Sequence, residues 1–265
     1  MRFAVVQLDI AWEDKPANQA RFEAMLDQAD VPAGAFVVLP ELGDTGFSFA
    51  LDRIVDDRSL AWARRTAAAR GVWLQVGYAE RGADGRGRNC ATIVRPDGTV
   101  AGTYRKVHPF SYGREAEHYA GGDELLCERC GPVVVCPLIC YDLRFPELWR
   151  HGAMAGAEVF TIGASWPAAR QSHWRTLLIA RAIENQAYVV AVNRTGRDPQ
   201  LAYAGGSIVI DPTGQVLAEA ADEETVLQTD VDPAAITAWR NEFPALADVR
   251  RGLLGQVPIR GNAAP

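Results

Sequence analysis

The sequence predicts an α/β fold, and two observations carry that reading. Apolar, β-branched runs such as Phe36-Val37-Val38 and Val133-Val134-Val135 alternate along the chain with segments of helical period. No linker-like shift in composition, low-complexity block or fixed repeat interrupts the 265 residues, so 1–265 reads as a single domain with ample core.

Taken in order, Arg2 to Asp9 reads as a buried strand. Asn18 to Asp30 reads as an amphipathic helix with Phe22, Met25, Leu26 and Ala29 on one side. Phe36 to Leu39 is a short apolar strand that runs into Pro40 and ends at Glu41, before a loop with Gly43, Thr45 and Gly46. Ser59 to Arg70 is a helix stopped by Gly71, and Val72 to Tyr78 is a strand. A Gly-rich hairpin loop at 81–87 leads back along Asn89 to Val94. Pro96-Asp97-Gly98 turns the chain into Val100 to Arg105. Residues 106–122 read as irregular loop. Val133 to Ile139 is a strand, Phe145 to Ala155 a helix, Val159 to Ala164 a strand and Ser172 to Gln186 a long helix. Strands follow at 187–193, 207–211 and 226–231, then a weak helix and a polar tail.

The bulk numbers exclude several classes. Charged residues are mixed and the formal net charge is −6 with no basic block, so neither nucleic acid nor an anionic membrane is an expected partner. No apolar run approaches a membrane span, and the N-terminus opens as a strand without signal-peptide features. Five cysteines are an odd count in a long chain, which favours a reducing, cytoplasmic setting over a disulfide scaffold.

The chemistry gathers at strand ends. Cys140 closes an apolar strand and is followed by a polar turn and a helical pattern, the way a nucleophile is exposed. A helix N-terminus there is expected to favour thiolate. Glu41 and Lys106 also follow apolar strands, and ligand sites in α/β sheets collect at such ends. A partly buried Glu can take the thiol proton and a Lys can hold an oxyanion, a set suited to acyl transfer from a C–N bond. Each residue has a plainer reading: a buried small hydrophobe for Cys140, a turn cap for Glu41, solvated surface for Lys106. Cys127-x-x-Cys130, with Cys136 and Cys140, raises zinc as a rival. An extended 136–140 segment would separate Cys136 from Cys140 by about 13 Å, whereas two ligands of one zinc lie no more than about 5 Å apart. Cys127 and Cys130 are expected to flank a hairpin turn.

Three stretches resemble the nitrilase, or carbon–nitrogen hydrolase, superfamily in order and spacing, over nearly the whole chain. They are Leu39-Pro40-Glu41-Leu42 with Thr45-Gly46-Phe47, then Tyr104-Arg105-Lys106-Val107-His108-Pro109-Phe110, and Leu138-Ile139-Cys140-Tyr141-Asp142-Leu143-Arg144-Phe145-Pro146-Glu147. The resemblance puts the catalytic glutamate, lysine and cysteine at Glu41, Lys106 and Cys140. It puts a second, lysine-orienting glutamate at Glu115, with Glu117 as a near alternative. Ser165-Trp166-Pro167-Ala168-Ala169-Arg170 and Ala180-Arg181-Ala182-Ile183-Glu184-Asn185-Gln186 resemble the ω-amidase-like branch, whose members hydrolyse the terminal amide of α-keto-acid amides. Pro109 departs from that branch, where leucine is usual.

The resemblance implies a four-layer α-β-β-α sandwich, a homodimer and hydrolysis through a cysteine thioester that needs no metal, nucleotide or redox cofactor. Backbone amides of the turn at Tyr141 would share the oxyanion with Lys106. Arg144, one helical turn past the nucleophile, has a planar fork that suits the substrate's carboxylate; the competing reading is an ion pair to Asp142 or Glu147. Trp166 and Tyr112 are candidate pocket walls or core aromatics. Hydrolysis of N-carbamoyl compounds or other small amides, and an inactive binding protein on the same fold, are the alternatives.

Overall fold

The computed structural model describes residues 1–262, so residues 263–265 of the expected domain lie outside the described residues. The chain runs β1 (Arg2–Gln7), α1 (Lys15–Gln28), β2 (Phe36–Val38), α2 (Leu51–Ile54), α3 (Arg58–Arg70), β3 (Trp73–Arg81), β4 (Gly87–Val94) and β5 (Val100–Arg105). A short α4 (Glu115–His118) precedes β6 (Leu125–Leu126), β7 (Glu128–Cys130), β8 (Val133–Ile139), α5 (Pro146–Met154), β9 (Val159–Ala164), α6 (Gln171–Asn185) and β10 (Tyr188–Asn193). Then come β11 (Thr195–Arg197), β12 (Ala202–Ala204), β13 (Ile208–Ile210), β14 (Val216–Glu219), β15 (Thr225–Asp230), α7 (Pro233–Glu242) and β16 (Ile259–Arg260).

Two six-stranded sheets, in the orders β15-β1-β2-β3-β4-β5 and β14-β13-β10-β9-β8-β7, pack face to face with helices outside. This is the α-β-β-α sandwich. The alternation within each strand explains the layers. Phe3, Val5, Phe36 and Val38 point inward towards Val135, Ile139, Val159 and Val190 of the second sheet. Ala4, Val6, Val37 and Leu74 point outward beneath Phe22, Leu26, Trp62 and Ala63 of α1 and α3. Both faces are covered, so the strands read as continuous apolar runs. The centres of both sheets are parallel, β1–β2–β3 and β8–β9–β10, with antiparallel strands at the margins.

Helix ends follow local chemistry. Asp14 caps α1 by accepting from the Ala17 amide, and Gly71, at φ 63°, stops α3 as a left-handed cap. Residues 106–122 are less irregular than expected, because a 3₁₀ turn at Ser111–Gly113 and α4 lie within them. Cys130 closes β7 at the β7–β8 turn, whereas Cys127 lies before β7 and away from the turn. The tail strand β16 pairs in parallel with β6.

Candidate active site

Glu41, Lys106 and Cys140 come from three different strand ends and meet between the sheets. Glu41 follows β2, and its segment is clasped by both sheets at glycines. A Cβ on Gly77 of β3 would stand 2.3 Å from the Pro40 carbonyl oxygen, and one on Gly163 of β9 would stand 3.0 Å from the Glu41 amide. Only hydrogen at both positions lets the backbone through. Glu41 is buried and accepts three bonds: Lys106 Nζ (2.7 Å) and Asn89 Nδ2 (2.8 Å) donate to Oε1, and the Ser165 amide (2.9 Å) donates to Oε2.

Lys106 follows β5 and is 1% exposed. Its ammonium donates to Glu41 and, at 2.8 Å, to Glu115 Oε2, and it lies 5.6 Å from the Phe47 ring centroid. Burial opposes its charge, but Glu115 and Glu41 outweigh burial and hold it well above the ordinary lysine range. An ammonium has three donors, so one proton remains for a ligand. Glu115, not Glu117, is the glutamate that meets Lys106: Glu117 is solvent-exposed on Arg114. Glu115 also accepts from Asn89 Nδ2 (2.9 Å) and the Phe110 amide (2.6 Å).

Cys140 directly follows β8 at φ 43°, a left-handed conformation that costs a non-glycine residue energy and turns the chain out of the sheet. The expected thiolate is not what the surroundings favour. Burial, then the Glu41 charge, push the thiol well above its ordinary value, with Lys106 opposing. A 3₁₀ segment, Cys140–Arg144, separates the cysteine from α5, so no long helix points its dipole at the sulfur. The cysteines do not gather as a metal site: all five are free thiols, Cys136 neighbours Cys127 while Cys140 faces Glu41, and no cluster of three metal-ligating side chains exists among the described residues.

Asp142 locks the turn after Cys140 to the loop after Lys106. Its carboxylate accepts from Tyr104 Oη (2.7 Å) and the Ile139 amide (3.1 Å) on one oxygen, and the His108 amide (3.1 Å) on the other. Arg144 therefore pairs with neither Asp142 nor Glu147. Its guanidinium lies 4.8 Å from the Trp166 ring centroid and 3.3 Å from His173 Nδ1. A narrow cleft opens on Glu41, Lys106, Cys140, Tyr141, Arg144 and Trp166, with Arg170, Leu201 and Tyr203 at its walls. Tyr112 is 84% exposed and lines nothing there.

Sequence reasoning missed Asn89, Asp142 and Tyr203. A polar Asn within a buried strand signals a partner, since burying an amide unpaired is costly. Tyr203 arrives on β12, a strand too short to carry a pattern.

Residues 2–241 match the carbon–nitrogen hydrolase family model. The 2-oxoglutaramate amidase of Bacillus subtilis (strain 168) is 36% identical, over 94% of this chain and 97% of its own length. The ω-amidase YafV of Yersinia enterocolitica is 34% identical, over 96% and 98%. Among solved structures, XC1258 of Xanthomonas campestris, a CN-hydrolase superfamily protein with an arsenic adduct in its active site, superposes with a TM-score of 0.87. It shares 37% identity, covering 94% of this chain and 97% of that one.

Proposed function

Since the chain belongs to the carbon–nitrogen hydrolase family, we propose that it is an ω-amidase, hydrolysing the terminal amide of a small carboxylate-bearing substrate to acid and ammonia. One observation carries the substrate class. The pocket that holds Glu41, Lys106 and Cys140 is also walled by guanidiniums with no carboxylate partner among the described residues. The amidase names of the relatives support the reaction type.

The roles follow from the free valences. An ionised carboxylate offers about four lone-pair sites. Three on Glu41 are filled, and the remaining site, on Oε2, is left to take the proton of the neighbouring Cys140 thiol. The sulfur attacks the amide carbon as the C–O π pair moves to oxygen. The third Lys106 proton and the turn amide at Tyr141 hold that oxyanion. Glu41 hands its proton to the departing nitrogen, and ammonia leaves a thioester. Water, deprotonated by Glu41, then attacks the thioester and the thiol regains its proton. Glu115 fixes Lys106, and Trp166 backs Arg144, which holds the substrate carboxylate. The chain's residues supply every proton transfer in this sequence.

The test is ammonia release across α-keto ω-amides, N-carbamoyl amines, neutral amides and nitriles. Preference for the α-keto ω-amides is expected, and preference for N-carbamoyl substrates would overturn the reading. Loss of turnover in Cys140→Ala is expected with every substrate.

We further propose that the chain is one cytoplasmic domain that pairs as a homodimer. Ile183 on α6 and Phe243 after α7 are 51% and 57% exposed, an apolar surface that a second copy would cover. Sedimentation equilibrium giving one chain's mass would rule the dimer out. Among the described residues no helix is long and apolar enough to cross a membrane.

A further inference from the structure

We propose that Arg170 is a second specificity residue, donating to the 2-oxo oxygen of an α-keto acid whose adjoining carboxylate is held by Arg144. The inference rests on the ω-amidase reading and narrows its substrate.

An inventory of donors leads there. A 2-oxo acid presents three oxygens side by side, two of the carboxylate and one of the ketone. One guanidinium fork satisfies two of them in parallel. The third needs a separate donor on the same wall. Most pocket donors are already committed: the Tyr203 hydroxyl donates to Asp198 at 2.5 Å, the Ser165 amide to Glu41, and two Lys106 protons to Glu41 and Glu115. Arg170 lines the cavity, and its guanidinium meets no carboxylate among the described residues.

Arg170 is also built in rather than loosely projecting. Its guanidinium lies 5.5 Å from the Phe110 ring centroid, and the Phe110 amide is fixed on Glu115. Its carbonyl oxygen accepts from Trp166 Nε1 at 2.8 Å. The same indole carries Arg144 over its ring face. One tryptophan thus sets two cationic forks relative to each other, one through its face and one through its edge. Arg194, whose guanidinium lies 4.5 Å from the Tyr203 ring centroid, is spent differently, on Asp9.

The experiment compares kcat/KM for three amides of equal length: the 2-oxo ω-amide, its analogue with CH2 in place of the ketone, and a neutral aliphatic amide. Arg170→Gln is expected to lower the ratio of the first to the second by about tenfold or more, the range for a charge-assisted hydrogen bond. Arg170→Lys should restore part of that ratio. Arg144→Gln should lower both anionic amides against the neutral one and leave the oxo-to-CH2 ratio largely intact. A ratio unchanged in Arg170→Gln, or a uniform loss on all three amides, overturns the role of Arg170 alone. Wild-type preference for the neutral amide over both anionic ones overturns the ω-amidase reading, and Arg170's role with it.

Discussion

Replacing Gly77 by alanine should disable the site without changing any side chain in the pocket. Gly77 lies on β3, where its backbone faces the Pro40–Leu42 segment. The added methyl would meet three backbone atoms, the Pro40 oxygen at 2.3 Å, the Leu42 nitrogen at 2.9 Å and the Glu41 Cα at 3.1 Å. None belongs to a flexible side chain that could swing aside, and relief to ordinary contact requires a shift of about 1 Å. Glu41 makes its three bonds at 2.7–2.9 Å, so the same shift carries them out of hydrogen-bonding range. A misplacement of that size is worth about 100-fold in rate, and overpacking costs about 1–3 kcal/mol, a fall in Tm of roughly 3–10 °C for a chain this long. The assay is steady-state ammonia release beside thermal unfolding. Gly252→Ala, whose Cβ meets nothing and whose φ is not left-handed, is the comparison for a methyl placed in open space. A folded Gly77→Ala protein with kcat within threefold of wild type would show that Glu41 does not depend on this close approach.

Three further outcomes are expected. Glu41→Gln should abolish turnover and yet lower the midpoint of the Cys140 alkylation profile, because the Glu41 charge helps hold that thiol up while Lys106 pulls it down; a midpoint moving upward contradicts this. Asn89→Asp replaces a donor at 2.8 and 2.9 Å from two carboxylates with a third carboxylate, so it should lower Tm by several degrees and stop turnover at neutral pH, both partly recovered on acidification; wild-type Tm would refute it. Stability should fall in alkali. Burial holds the thiols of Cys90 and Cys140 protonated in the folded chain, and the neighbouring Cys127 together with burial does so for Cys136, whereas the unfolded chain loses those protons above about pH 8.5. The contribution is therefore complete below that pH and declines above it by about 1.4 kcal/mol per pH unit for each thiol. A Tm flat from pH 7 to 10 would count against this.

Which parts were legible in the sequence follows from where the information sits. The β8 run and the residues at its end are local: a buried strand reads as an apolar stretch, and Cys140 interrupts it. Glu41 and Lys106 read the same way at other strand ends, and the motif resemblance joined them. The Arg144 choice stayed open because both candidate acids are its chain neighbours. It closed only when Asp142 proved to be filled by Tyr104 and the Ile139 and His108 amides, partners spread from 104 to 139. The thiolate expectation failed for a similar reason. The turn's chemistry was visible, but the Glu41 charge facing it comes from a strand about a hundred residues away. Tyr112 misled because an aromatic beside a motif carries no sign of direction, and its ring points to solvent.

The protonated thiol and the pair of arginines have a common cause in the charge of the buried cluster. Glu41 and Glu115 share the single ammonium of Lys106, which leaves the inner site with a formal charge of −1. Ionising Cys140 into that site would raise it to −2 in buried surroundings, which therefore favour the protonated thiol. Transfer of that proton to Glu41 then moves charge without adding any, and the developing oxyanion arises beside the Lys106 proton left free. The same inner charge repels an anionic substrate. Arg144 and Arg170 at the wall reverse the sign of the whole pocket, so a carboxylate-bearing amide enters a site whose outer half attracts it. Its acid end is thereby drawn to the arginines, and its amide end is left to face Cys140. Orientation then depends on the separation of unlike charges along the pocket, so it should weaken as salt screens the outer, solvent-reached arginines. A KM for anionic amides that rises with ionic strength, beside a constant KM for neutral ones, is the expected sign of that arrangement; equal salt response in both would show that the wall charges do not orient the substrate.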